Sequence, residues 1–120
     1  LTAEFLSADS SKLVGHAAAT ILAGPIVIPR SSVDFLDSAR TVQTARAMDY
    51  DQPDGERSME KVVQVFNLLT GHELLESDGW LLQQLLKIVR DQSRTEAHID
   101  SLLDNVGYGS LYAEARMAGK

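Results

Sequence analysis

The stretch "SDGWLLQQLLKIVRD", Ser77–Asp91, decides the class of fold. Leu81, Leu85, Ile88 and Val89 recur three or four residues apart, with Leu82 widening the stripe, which is the period of an α-helix and not of a strand. A stripe this wide normally faces a core, so the segment predicts an amphipathic helix opening at Ser77 with these side chains packed inward.

The flanking sequence repeats the pattern. "ERSMEKVVQVFNLL" sets Met59, Val62, Val63 and Phe66 on one stripe and stops at Thr70-Gly71, where glycine can take the left-handed conformation that closes a helix. Ser93 with Glu96 forms a capping-box pattern that predicts a long final helix through Ile99, Leu103, Val106, Ala113 and Met117. Toward the N-terminus, "DYDQPDG", Asp49–Gly55, is the clearest loop in the chain. Before it, Ser31 with Asp34 gives another capping box, followed by an apolar face of Phe35, Ala39 and Val42. "GPIVIP", Gly24–Pro29, breaks an alanine-rich helix over Lys12–Ala23 and reads as a connector or one isolated short strand. The expectation is an all-α bundle of about five helices, with a short extended Pro-flanked segment near residues 24–30, and short connections that favour antiparallel neighbours.

Composition bounds the function. The 120 residues make one domain, and 44% apolar with 23% charged residues is ordinary for a folded protein. A formal net charge of −6, without a run of Lys or Arg, lacks the electrostatic footprint of a nucleic-acid binder and excludes polymeric DNA or RNA from the expected partners. The absence of cysteine removes disulfides, thiolate metal sites and thiol nucleophiles together and fits a cytoplasmic setting. Ala17–Ile28, the longest nearly apolar segment, is too short to span a bilayer, and Leu1–Ser10 lacks the basic-then-apolar order of a leader, so no membrane partner is expected.

Chemistry, if the chain carries any, concentrates in "HIDSLLDNVGYG", His98–Gly109. At about 100° per residue, Asp100 and Asp104 lie roughly 100° and 140° from the stripe through Ile99, with Leu111 between them in projection. Glu56, Glu60 and Asn67 stand in a similar relation to the Met59 stripe. Two acidic ridges thus border the core, and if their helices pack as neighbours they make half a metal cluster each; otherwise they are solvated boundaries paired with cations such as Lys61, Arg57 or Arg116. Four facing carboxylates repel, and Mg2+ or Mn2+ would relieve that repulsion and hold a triphosphate. Lys87 and Arg90, a turn apart, suit phosphate contact, pairing with the aspartates or solvent. Trp80 falls on the Lys87 side of its helix, which predicts a cover for a neighbouring subunit, or a stacking surface for a base. His16, His72 and His98 lack metal-ligand spacing, and His98 reads as a surface or capping residue. The glycines of "GYG" sit inside the final helix and permit close helix packing.

Across Tyr50 to Arg116 the chain resembles a phage- and prophage-associated family of small helical domains of unknown function, and more loosely the MazG-type all-α nucleoside triphosphate pyrophosphatases. The resemblance rests on Tyr50 and Pro53 in "YDQP", "GERSM" at 55–59, "FNLLTG" at 66–71, "GW" at 79–80, Lys87 and Arg90 in "LKIVR", and above all "DSLLDNVGY" at 100–108. It implies a MazG-like core over 49–120, with helices of no assigned role over 1–48. It also implies a cytoplasmic homo-oligomer in a bacterial host that binds a nucleotide or other phosphorylated small molecule. Glu56, Glu60, Asp100 and Asp104 would hold Mg2+ or Mn2+, with Glu60 and Asp104 catalytic, while Asn67, Lys87, Arg90 and Tyr108 would contact ligand. The acidic pairs here are spaced four apart, where MazG-type motifs space them three apart; either spacing keeps a pair on one helical face. The expected function is metal-dependent nucleoside triphosphate pyrophosphohydrolysis, or nucleotide binding by a phage protein. The alternative is a non-catalytic helical interaction protein that binds a host factor or sequesters a nucleotide.

Overall fold

The computed structural model describes residues 28–49 and 58–120. These form four helices and no strand: α1 (Ser32–Asp49), α2 (Met59–Thr70), α3 (Glu76–Gln92) and α4 (Ile99–Met117). The all-helical class is as the hydrophobic periods require. The helix expected over Lys12–Ala23, most of the Pro-flanked segment and the loop after Asp49 lie outside the described residues.

Most helix ends follow their local chemistry. At the start of α1 the capping box forms: the Asp34 N–H donates to Ser31 Oγ (3.1 Å), and Asp34 Oδ2 accepts from the N–H groups of Ser31 (3.0 Å) and Arg30 (3.1 Å). These donors, the backbone of Ser31 foremost, hold the Asp34 carboxyl below its ordinary pKa. α2 ends where Gly71 adopts φ 77°, a conformation that a Cβ would strain, and gives its N–H to the Asn67 carbonyl (2.8 Å). The next turn is held by Asn67, whose amide donates to the Leu74 carbonyl and accepts from the Leu74 N–H, both at 2.9 Å. The Leu75 N–H then donates to Asp78 Oδ2 (2.7 Å), opening α3.

The final helix begins later than the Ser93-Glu96 pattern predicts. Ser93 instead closes α3, its hydroxyl donating to the Val89 carbonyl (2.8 Å), and α4 starts at Ile99 behind His98. Asp91 Oδ1, which accepts the His98 N–H (2.8 Å), supplies the tie between the two helices that the capping box was expected to supply.

Helices α3 and α4 pack most extensively, α1 lies against α4 and α2 against α3. The buried apolar cluster is small: Met59, Val63, Trp80 and Ala115, with Leu74, Tyr108, Leu111 and Tyr112 partly buried around it. Gly79 lets α2 approach α3, since a Cβ there would collide with Met59 and lie 3.0 Å from Val63 Cγ2. On α4 the approach is close at Gly109, where a Cβ would lie 3.1 Å from Gln84 Nε2 of α3, while at Gly107 it would make ordinary contact at 3.5 Å with Gln43 Nε2 of α1.

Two faces differ from expectation. The leucine stripe of α3 points outward, and Ser77, Trp80 and Lys87 form the side buried against the rest of the chain. On α4 the inward side is Asp100, Ser101, Asp104 and Ala115, while Ala113 and Met117 of the predicted stripe are exposed. The physical reason is the same for both. The α3–α4 interface buries small residues, one aromatic stack and an ion pair, so that polar positions face inward and apolar ones are left outside.

Candidate functional site

The site is built by the meeting of α1, α3 and α4. Ser77 of α3 and Ser101 of α4 are almost completely buried. One turn further along α4 stands Asp104, and α3 brings Lys87 to it: Nζ to Oδ2 is 2.9 Å, with each side chain only 4% exposed. From α1, Arg46 Nη2 lies 3.6 Å from Asp104 Oδ1 and is partly exposed. Both carboxylate oxygens therefore face a cation, as a charge withdrawn from water requires. Asp100 is buried in the first turn of α4, where the helix dipole favours an anion, and it too is engaged.

Arg46 was missed in the sequence, although a signal existed. It follows Ala39, Val42 and Gln43 on one face at helical spacing, so it sits on the side of α1 that turns to α4. Gln43, a turn earlier, reaches the same helix, donating to the Gly107 carbonyl (3.1 Å) and Ser110 Oγ (2.8 Å).

Trp80 is not a cover for a neighbouring subunit. It is 2% exposed, stacks on Tyr108 with ring centroids 5.7 Å apart, and its Nε1–H donates to Glu76 Oε2 (3.1 Å). The stack and the ion pair share the α3–α4 interface, since Trp80 and Lys87 lie seven residues, two turns, apart on one side of α3 and Tyr108 lies four beyond Asp104 on α4. His98 is also inside and not on the surface: it is the N-cap residue of α4, and its Nδ1 lies 2.6 Å from Ser101 Oγ. Asn105 Oδ1, next along α4, is buried and has no hydrogen-bond partner among the described residues.

The remaining candidates are not gathered here. Glu60 is exposed and pairs with Lys120 (2.8 Å), whose hydrogen bond and charge hold the Glu60 carboxyl below its usual pKa. Lys120 follows the C-terminal end of α4, whereas Asp100 and Asp104 occupy its first two turns, a separation of about 15 Å or more along the axis. Asn67 uses its amide on the α2–α3 turn, and Arg90 is exposed in the last turn of α3. Glu56 lies outside the described residues.

Mg2+ prefers several carboxylate or water oxygens in near-octahedral array. Among the described residues no three acidic or histidine side chains converge to offer one, and the Asp104 oxygens face cations. The described residues of one chain do not gather a divalent-ion site. Among the described residues, no helix is long and apolar enough to cross a membrane. No family model, no curated protein and no solved structure matches the chain.

Proposed function

We propose that this chain is a MazG-like protein that binds a nucleoside triphosphate, or a nucleotide of similar charge, and that pyrophosphohydrolysis is its reaction class. One observation carries the reading: Asp100 and Asp104 are inside the protein and not on a solvated edge. Withdrawing carboxylates and a lysine from water is costly, so a fold that does so has a use for them there. Asn105 supports it, since a buried acceptor without a donor costs about 1–3 kcal/mol, which a ligand hydroxyl or amino group would recover.

Arg46 supplies positive charge that a triphosphate needs. Partly exposed and 3.6 Å from Asp104 Oδ1, Arg46 exchanges this carboxylate for phosphate oxygens, and its planar fork suits two of them. Lys87 holds Asp104 in a fixed place while Arg46 is drawn away. The Asp104 carboxylate then accepts a proton from a water molecule whose oxygen bonds to the α-phosphorus as the bond from that phosphorus to the bridging oxygen breaks and pyrophosphate leaves.

A second reading follows from the same ion pairs. Asp104 is already neutralised by Lys87 and Arg46, which is also how a non-catalytic helical binding protein would use it. One experiment separates the two. Purified chain, Mg2+ and a panel of ribo- and deoxyribonucleoside triphosphates should release pyrophosphate, and Asp104→Asn should abolish that release while its far-UV circular dichroism keeps the helical signal. Saturable nucleotide binding without release would favour the non-catalytic reading, and neither binding nor release would end both nucleotide readings.

A further inference from the structure

We draw no further inference here: the strongest candidate, the outward apolar face of α3 formed by Leu81, Leu82, Leu85, Ile88 and Val89, carries nothing because nothing in the structure shows what covers it.

Discussion

Replacing Lys87 by methionine tests the polar interior most sharply. Nζ lies 2.9 Å from Asp104 Oδ2 and both side chains are 4% exposed, so neither charge has water to fall back on. Removing one partner of such a pair costs about 3–5 kcal/mol, because the survivor is left charged in a poorly solvating place. Arg46 remains 3.6 Å from the other carboxylate oxygen and offsets part of that loss, which sets the expectation at the lower end, about 3 kcal/mol. For a chain of this length the melting temperature should then fall by about 10–15 °C. Urea denaturation at fixed protein concentration, followed by the emission of Trp80 as the chain's single tryptophan, gives the free energy directly. The double variant Lys87→Met with Asp104→Leu should recover much of the loss, since apolar substitutes of similar volume tolerate burial. A Lys87→Met protein within about 0.5 kcal/mol of the parent would refute the reasoning, since that is the scale of a solvated surface pair.

Other outcomes follow from the same geometry. Gly79→Ala drives a Cβ into Met59 and toward Val63, and overpacking of this kind should destabilise by about 1–3 kcal/mol in the same assay, with Met59→Ala on the Gly79→Ala background restoring part of it. Gly71→Ala forces a side chain to φ 77° with open space around it, so only the backbone term is lost, about 1 kcal/mol. The Asp34 carboxyl has a lowered folded-state pKa, so its contribution is fully present above the ordinary aspartate value of 3.8 and is lost as pH falls through the folded value. Asp34→Asn should therefore flatten part of the acid limb of the stability curve, and an unchanged limb would contradict the cap. Asn67→Ala, which frees both backbone atoms of Leu74, should raise amide exchange across residues 71–75 before it raises exchange in α4.

The helical class, the glycine that ends α2 and the capping box of α1 were legible because each is local: the pattern and the partners lie within four residues of one another. Facing was less legible. A periodic stripe says that a helix has an apolar side, but not whether that side meets its own chain or another, and in α3 it is the polar side that meets α4. Asp100 and Asp104 were singled out by their spacing, yet the cations at Asp104 come from Lys87 and Arg46, 17 and 58 positions away, which no local pattern joins to it. Arg46 was the nearest to being found, since helical spacing alone places it on the inner face of α1. Ser77 and Ser101 carried no signal at all, because a buried serine between helices looks in sequence like any surface serine.

Titration calorimetry with a non-hydrolysable nucleoside triphosphate in the presence of Mg2+ tests the central claim most directly. The account predicts saturable binding to the parent chain, weakened at least tenfold by Arg46→Ala in a protein that keeps its helical content. Absence of binding across all bases and both sugars, or binding that Arg46→Ala leaves unchanged, would contradict it.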